Sequence, residues 1–253
     1  MQKLSVIITT YNECEHIEPL LSHLDWVDEI VVADSFSSDG TYQLLQQNQR
    51  IKLHQRAYKG PADQKNWLIE QATNEWILIM DADERISPDL LVELKQLLSS
   101  EPNMDAFTIR FRTHFMGHAV RYSGWQNDKA VRLIRKSKCR YNSNQVHEDI
   151  DVNGLRMGAL RAPFEHYTYK SLDHFLSKMQ RYAQWGAQDK LAKTKRVTYF
   201  HLWLKPSFRF LKHYVFKFGF LDGKVGFIIS ILMAWGVFLR YVYLREMLRG
   251  RND

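Results

Sequence analysis

Two carboxylates separated by one residue, Asp81 and Asp83, directly follow an apolar stretch at residues 76–80. Carboxylates at positions i and i+2, at the mouth of a sheet, supply the oxygen ligands that Mg²⁺ or Mn²⁺ prefers. Such a cation takes its remaining ligands from water and a diphosphate, and it offsets the charge that develops on a departing phosphate group. Because Asp-x-Asp pairs also occur in solvated acidic loops, the meaning of this pair depends on its neighbours.

Polar residues with suitable chemistry also follow the first two predicted strands. Thr10, Tyr11 and Glu13 close the first strand, where an aromatic ring could stack on a base and a carboxylate could bind a ribose or a base edge. Asp34 closes the second strand. Asp39 follows in Ser-Ser-Asp-Gly, where it could equally be a ligand contact or a helix-cap residue.

Lys65 stands near the start of a predicted helix, where a cation could meet a phosphate; a solvated lysine is the ordinary alternative. The chain contains no Gly-x-Gly-x-x-Gly and no Walker motif, so readings based on a dinucleotide or a P-loop lose their main support.

The elements that must position these residues alternate along the first hundred residues. Buried β-branched runs predict strands, and amphipathic stretches between them predict helices. This alternation predicts a mostly parallel sheet with helices on both faces, in which ligands bind at the carboxyl ends of the strands. Shorter alternating runs then predict antiparallel strands, and a further helix follows. The predicted strands are 4–10, 29–33, 51–54, 76–80, 106–112, 119–122 and 130–134, and the predicted helices are 15–24, the stretch after 37–40, 61–72, 88–98 and 172–191.

Charge is distributed unevenly along the 253 residues. The chain carries a net charge of +7, but residues 190–253 contain 13 Lys and Arg against three acidic residues, so the first 189 residues are mildly acidic. Nucleic acid and an anionic membrane are both candidate partners for such a basic, aromatic tail. The two cysteines, Cys14 and Cys139, suit a reducing compartment, and residues 4–8 are interpreted as a buried strand rather than a signal segment.

An uncharged apolar run, residues 225–239, lies within this tail between Lys224 and Arg240. A membrane span needs about 20 such residues, so an in-plane anchor or a short re-entrant hairpin is favoured over a simple span. The alternative is a buried core helix. The run has no use in a nucleic-acid groove, so no nucleic-acid partner is expected.

Taken together, five strings resemble the family 2 inverting glycosyltransferases of GT-A fold, and most closely the bacterial lipopolysaccharide core β-1,4-glucosyltransferases. They occur in the family's order and spacing, and similarity extends to the tail string at 218–226. The five strings are residues 4–13, 28–35, 38–41, 64–66 and 81–84.

The resemblance implies a role for each matching position. Thr10, Tyr11 and Glu13 would line the nucleotide pocket, with Asp39 nearby, Asp34 at the uracil edge and Lys65 near the phosphates. Asp81 would lie by the ribose or the metal, and Asp83 would bind a Mn²⁺ or Mg²⁺ cofactor directly.

The family also needs a carboxylate base. Glu148 is the first candidate and Asp149 the second, and surface acids are the alternative. The processive members' Gln-x-x-Arg-Trp motif has Gln184 in place of arginine here, which favours transfer of a single sugar.

The sequence therefore predicts an enzyme that moves one hexose, with glucose expected, from a UDP-sugar to a lipopolysaccharide inner-core or other lipid-linked glycan acceptor. A polyprenyl-phosphate or capsule and O-antigen transferase is an alternative, and a basic nucleic-acid- or membrane-binding module is an alternative of another class. We expect a catalytic domain at 1–190, with a donor half at 1–100 and an acceptor half at 101–190. Residues 191–253 would form a helical, membrane-associating region on the cytoplasmic face of a bacterial inner membrane.

Overall fold

The computed structural model describes residues 2–142, 149–169 and 171–250. Within this part of the chain, two compact units form. The first contains residues 1–111 and 128–166, and the second contains residues 112–127 and 167–253. The predicted helix at 172–191 belongs to the second unit. The functional boundary predicted at residue 190 is a separate question and stays a prediction.

The strands form one curled sheet with the order β3-β2-β1-β4-β8-β6-β10-β5, and β7 and β9 both pair with β6. The first four strands in this order are parallel, and β8 joins β4 antiparallel. The strands are β1 (Leu4–Thr10), β2 (Glu29–Asp34), β3 (Ile51–Gln55), β4 (Trp76–Asp81), β5 (Glu84–Ile86), β6 (Ala106–Phe115), β7 (His118–Ala119), β8 (Lys129–Arg135), β9 (Met157–Ala159) and β10 (Phe164–Tyr169).

Helices cover both faces of the parallel strands, as predicted. Alternate side chains of β1 point to opposite faces, so Val6 and Ile8 join one apolar cluster and Ile7 joins another. The first cluster includes side chains of α1, α2 and α4, and the second includes Leu68 and Ile69 of α3. The α-helices are α1 (Cys14–Leu21), α2 (Thr41–Gln46), α3 (Pro61–Gln71), α4 (Pro88–Leu98), α5 (Leu172–Leu191), α6 (Lys205–Leu211) and α7 (Gly223–Arg249).

Local chemistry explains where several helices begin. The Ser87 hydroxyl accepts a hydrogen bond from the Leu90 backbone N–H and so caps the start of α4. Gly40 precedes α2 with a φ of 95°, a left-handed conformation that glycine adopts without strain. The predicted strand at 119–122 is wrong: β7 ends at Ala119, and the backbone N–H groups of Arg121 and Tyr122 instead donate to the Asp222 carboxylate.

In the second unit, α7 packs against α5 and α6. Two short π-helical segments, Phe200–Leu204 and Lys212–Phe216, flank α6, and a 3₁₀ turn, Gly219–Asp222, precedes α7. The segment Gly219–Arg249 is long and apolar enough to cross a membrane, by length and composition alone. The uncharged run at 225–239 lies inside a helix of 27 residues, and the preference for an in-plane anchor or a re-entrant hairpin stays a prediction.

The tail string at 218–226 has a structural role in this unit. The Asp222 carboxylate also accepts a hydrogen bond from the Ser123 hydroxyl at 2.7 Å. A Cβ added to Gly226 would lie 1.8 Å from the Gly219 carbonyl oxygen, so only glycine permits this close approach.

Candidate active site

The candidate site lies at the carboxyl edge of the parallel strands in the first unit. Thr10 of β1 is paired in register with Asp34 of β2, and Thr9 is paired with Asp81 of β4. The register therefore brings the ends of three strands together in space, whereas the sequence shows only their order along the chain. Polar residues collect there because each strand changes from buried apolar residues to loop at this point.

Two cations hold the Asp81 carboxylate. Arg132 Nη2 donates to Asp81 Oδ2 at 2.8 Å, and Lys65 Nζ lies 3.4 Å from Asp81 Oδ1. Burial alone would raise the pKa of Asp81, but the positive charges of Arg132 and Lys65 lower it far below its usual range. Asp81 is therefore ionised and already paired within the chain.

Glu84 is the fourth member of this ion cluster. Its side chain is fully buried, accepts a hydrogen bond from the Asp81 backbone N–H and pairs with Arg132. Burial raises the pKa of Glu84 to about 7, and the nearby negative charge of Asp81 adds to this rise while Arg132 opposes it. Arg132 is thus the cationic partner that Asp81 and Glu84 share.

Asp83 has a different neighbour. His166 Nε2 lies 3.4 Å from Asp83 Oδ2, and both side chains are about a quarter exposed. Burial would lower the pKa of His166, but its hydrogen bond with Asp83 and the surrounding carboxylates raise it. Asp83 and His166 are thus a carboxylate and an imidazole that solvent can reach.

The loop with the two aspartates is fixed from beneath by Arg85. The buried Arg85 guanidinium donates to the backbone carbonyls of Ala82, Glu84 and His16 at 2.7–2.9 Å. These bonds tie the loop to α1. Asp83 is therefore presented on a rigid support.

On the opposite side of the edge, Tyr11 is 61% exposed, so its ring is available to a ligand. The next residue, Asn12, has a φ of 55° and exchanges hydrogen bonds with Ser37 and Ser38, which fixes the turn that presents Tyr11. Glu13 is partly exposed and lies 3.8 Å from the His16 ring.

Asp34 and Asp39 are engaged inside the protein. The fully buried Asp34 carboxylate accepts hydrogen bonds from the Thr10 hydroxyl at 3.1 Å and from the Ser37 backbone N–H at 3.0 Å. Asp39 accepts from the backbone N–H groups of Cys14 and Thr41, each at 3.0 Å, and so caps the starts of two helices. The cap alternative for Asp39 is thus observed, and the ligand contacts predicted for both residues stay predictions.

Tyr141, which precedes the predicted base residues in the chain, contacts the helix that carries Lys65. Asn66 exchanges two hydrogen bonds with the backbone of Tyr141, and Lys65 Nζ lies 5.5 Å from the centre of the Tyr141 ring. Tyr141 also forms an isolated bridge with Ile150.

These contacts hold Tyr141, the residue before the segment 142–149, against α3. Asp149 is exposed, and its carbonyl accepts from the Asn142 N–H at 3.0 Å. Glu148 lies outside the described residues.

Sequence reasoning missed two residues of the site, Arg132 and His166. Arg132 comes from β8, whose antiparallel register with β4 sets Leu133 opposite Leu78. His166 comes from β10, which was not predicted, and its register sets His166 opposite Glu84. The alternating string at 164–169 was the available signal for this strand.

Parallel strands with an acidic pair at their carboxyl edge, joined to an antiparallel half, define the architecture of a nucleotide-sugar transferase of GT-A type. The Glycosyl transferase family 2 profile matches residues 5–160. The chain therefore belongs to glycosyl transferase family 2, and it is a transferase.

Relatives of known sequence match the chain along its whole length. The lipopolysaccharide core biosynthesis glycosyltransferase LpsC of Rhizobium meliloti is 29% identical over 257 residues, spanning 99% of this chain and 95% of that protein. An uncharacterized glycosyltransferase of Rickettsia typhi, RT0209, is 27% identical over 266 residues, spanning 100% and 90%.

Solved structures agree on the fold. The mannosyltransferase PcManGT of Pyrobaculum calidifontis, in complex with GDP-Man and Mn²⁺, superposes with a TM-score of 0.56 at 17% identity, over 96% of this chain and 87% of that one. S. aureus TarS 1-349 in complex with UDP superposes with a TM-score of 0.51 at 19% identity, over 99% and 91%. At these identities the similarity establishes the fold.

Proposed function

We propose that this protein transfers a single hexose, with glucose the expected sugar, from a UDP-sugar to a lipopolysaccharide inner-core or related lipid-linked glycan. The observation that carries the proposal is the pairing of charges at the carboxyl edge. Asp81 is ion-paired with Arg132 and Lys65, while Asp83 is about a quarter exposed and lies 3.4 Å from the imidazole of His166. The similarity to LpsC along 99% of the chain favours a lipopolysaccharide core acceptor over a polyprenyl phosphate or a capsule unit.

The donor set fits a divalent cation that shares its ligands with a diphosphate. Among the described residues, no group of three or more His, Cys, Asp or Glu could hold a metal ion. Asp83 and His166 could supply two ligands, and Mg²⁺ or Mn²⁺ commonly takes the rest from water and phosphates. Such a cation would stabilise the negative charge on the leaving diphosphate. The complex of PcManGT with GDP-Man and Mn²⁺ supports a divalent cation for this fold in general.

The remaining edge residues suit the nucleotide. Tyr11 could stack on the uracil, and Thr10 and Glu13 border the same turn. Asp81, held by its two cations, could accept a ribose hydroxyl or act as a second metal ligand. Lys65 could serve both Asp81 and a phosphate, because its ammonium group carries three donors.

We propose an inverting, single displacement at this edge. Glu148, or Asp149 in its place, would take the proton of the acceptor hydroxyl as that oxygen attacks the anomeric carbon. The bond from the anomeric carbon to the diphosphate breaks on the opposite face, and UDP leaves with the electron pair. Lys65 would stabilise the charge that UDP acquires. The contacts of Tyr141 with Asn66 and Lys65 support a base on the segment at 142–149.

The second unit suits attachment to an anionic membrane surface. Large exposed apolar side chains, with lysines between them, form a surface of this unit that we name the lipid-facing surface. Trp203 is 70% exposed and Phe208 61% exposed, and Lys205 and Lys212 lie on the same helical stretch. Aromatic and basic side chains together favour the headgroup layer of a membrane rich in anionic lipids. The lipid-facing surface comprises Phe200, Trp203, Leu204, Phe208, Leu211 and Phe216.

This attachment would hold the catalytic region at 1–190 against the cytoplasmic face of a bacterial inner membrane through residues 191–253. Sedimentation with anionic vesicles measures it. Binding of the unaltered chain to these vesicles should persist at high salt, and the double variant Trp203→Ser with Phe208→Ser should abolish that binding. A surface that binds nucleic acid would instead lose its binding steeply as the salt concentration rises.

The experiment that tests the activity is a screen of UDP-, GDP- and CMP-sugars with the full chain, with and without Mn²⁺. We expect metal-dependent release of UDP from one UDP-sugar, and transfer to a deacylated lipopolysaccharide core with inversion at the anomeric carbon. Glu148→Gln and Asp149→Asn then identify the base, because only loss of the true base removes transfer while donor binding persists. Folded protein that binds none of these donors would refute the proposal.

A further inference from the structure

A cavity of about 300 Å³ lies entirely within the second unit, apart from the candidate active site. Its walls come from α5, α6 and α7, together with Trp125 and Tyr169. Most of the lining is aromatic or aliphatic, but Lys178, Arg209 and Arg240 also line it. Within the described part of the chain, no acidic side chain lines the cavity.

The two arginines have unmet hydrogen-bonding capacity. The Nε atoms of Arg209 and Arg240 are buried and have no hydrogen-bond partner. Among the residues that the structure describes, neither guanidinium forms an ion pair with a carboxylate. Both side chains are only partly exposed, and a buried N–H that is left without a partner costs free energy, so such groups are ordinarily matched by an acceptor or an anion.

The guanidinium groups are also close enough to repel each other. Burial lowers the pKa of Arg209, and the positive charge of Arg240 lowers it further. The fold accommodates Arg240 by means of a glycine, since a Cβ added to Gly186 of α5 would lie 2.6 Å from Arg240 Nε. The fold thus makes space for a second cation beside the first, and no carboxylate of the described residues pairs with either.

Phosphate is the anion that matches this arrangement. Guanidinium forks bind two phosphate oxygens at once, and a doubly charged monoester balances two arginines where a carboxylate balances one. The aromatic wall, with Trp125, Tyr169 and Phe175, suits a sugar ring or the first carbons of a lipid next to the phosphate. We propose that this cavity is a binding site for a phosphate monoester carried on a sugar or a lipid headgroup. The site goes beyond the proposed transfer reaction and does not depend on it.

Binding of inorganic phosphate to the full chain, measured by calorimetry and thermal unfolding at constant ionic strength, tests the site. Arg209→Gln and Arg240→Gln should each weaken phosphate binding at least about tenfold, because each removes charge-assisted hydrogen bonds. Arg245→Gln is the matched control, since Arg245 is exposed on the same helix as Arg240 and should bind phosphate like the unaltered chain. Without phosphate, the two glutamine variants should unfold at an equal or higher temperature, because mutual repulsion is relieved.

Gly186→Ala provides a second variant that keeps every charge. The added methyl group should displace the Arg240 guanidinium and weaken phosphate binding, without changing the net charge of the protein. Equal stabilisation by phosphate in the unaltered chain, both glutamine variants and Gly186→Ala would overturn the proposal. Loss of phosphate binding in all three variants but not in Arg245→Gln would support it, whatever the donor reaction proves to be.

Two further probes identify the source of the phosphate. Vesicles containing phosphatidic acid present the monoester on a lipid, and sn-glycerol 3-phosphate presents it in solution. If the site takes a headgroup, phosphatidic acid vesicles should compete with inorganic phosphate and phosphatidylglycerol vesicles should not. If it takes a soluble ester, glycerol phosphate alone should compete. Failure of both probes to compete would contradict the assignment to a monoester.

Discussion

Both edges of the parallel strands contain carboxylates, but the two edges satisfy them differently. At the amino edge, Glu29 is buried and bonded to Lys52, to the Ser5 hydroxyl and to the Thr73 backbone N–H at 2.8 Å. At the carboxyl edge, Asp81 and Glu84 share Arg132, and Asp83 remains partly exposed beside His166.

This difference indicates which carboxylates stabilise the fold and which can bind a ligand. Three neighbours donate hydrogen bonds to the buried Glu29 carboxylate, so we expect Glu29 to contribute to stability and not to ligand binding. The carboxyl edge keeps one ionised carboxylate accessible to solvent, and an accessible carboxylate can bind a cation. Substitutions at the two edges should therefore change different measurements.

The largest effect is expected for Asp83→Asn. Loss of the direct metal ligand should lower kcat/KM for sugar transfer by about a thousandfold, because charge on the departing diphosphate is no longer offset. The unfolding temperature should change little, since Asp83 is not fully buried. Steady-state kinetics and thermal unfolding check both parts. Asp89→Asn, an exposed change in the following helix, is the control, and activity of Asp83→Asn equal to that control would contradict the assignment.

Arg132→Met should break the carboxyl edge structurally. Removing one partner of a buried ion cluster typically costs about 3–5 kcal/mol, because Asp81 and Glu84 would lose their shared cation. Urea unfolding at pH 7 measures this cost. Lys129→Met, at the exposed start of the same strand, should cost far less. Equal stability of the two variants would show that the ion cluster contributes nothing to the fold.

These two residues also show what sequence could predict. The parallel strands, their helices and the positions of Asp81, Asp83 and Lys65 follow from local patterns. The two aspartates come directly after a predicted strand, and Lys65 lies near the start of a predicted helix. Arg132 and His166 could not be assigned to the site, because their places depend on the register of β8 with β4 and of β10 with β5, whose paired residues lie 55 to 82 positions apart in the chain. Long-range register carries little local signal.

Glu29→Gln should sharpen the contrast through its pH dependence. Burial alone would raise the pKa of Glu29, but hydrogen bonds from Lys52, Ser5 and Thr73 lower it to about 2. The stabilisation by ionised Glu29 is therefore fully present above its unfolded pKa of 4.5 and is lost as the pH falls toward about 2.

We expect Glu29→Gln to be less stable than the unaltered chain by about 2–3 kcal/mol at pH 7. Urea unfolding at pH 7, 4.5 and 3 should show this difference shrinking below pH 4.5. Glu70→Gln, an exposed change on α3, should show no such trend. A difference that is constant across this range would mean that the charge of Glu29 is unimportant.

The smallest effect is expected for Tyr11. Loss of one stacked aromatic ring costs about 1–3 kcal/mol in base binding, so Tyr11→Ala should weaken UDP binding about tenfold or more. Tyr11→Phe keeps the ring and should bind nearly as the unaltered chain does. Fluorescence or calorimetric titration with UDP measures both. Equal losses in the two variants would assign the effect to the hydroxyl rather than to stacking.

The most direct test of the central claim is calorimetric titration of UDP, with and without Mn²⁺, into the unaltered chain, Asp83→Asn and Glu29→Gln. We predict that Mn²⁺ tightens UDP binding to the unaltered chain and to Glu29→Gln, but not to Asp83→Asn. If Mn²⁺ tightens UDP binding to Asp83→Asn as much as to the unaltered chain, the carboxyl edge is not the metal-dependent donor site, and the account is contradicted.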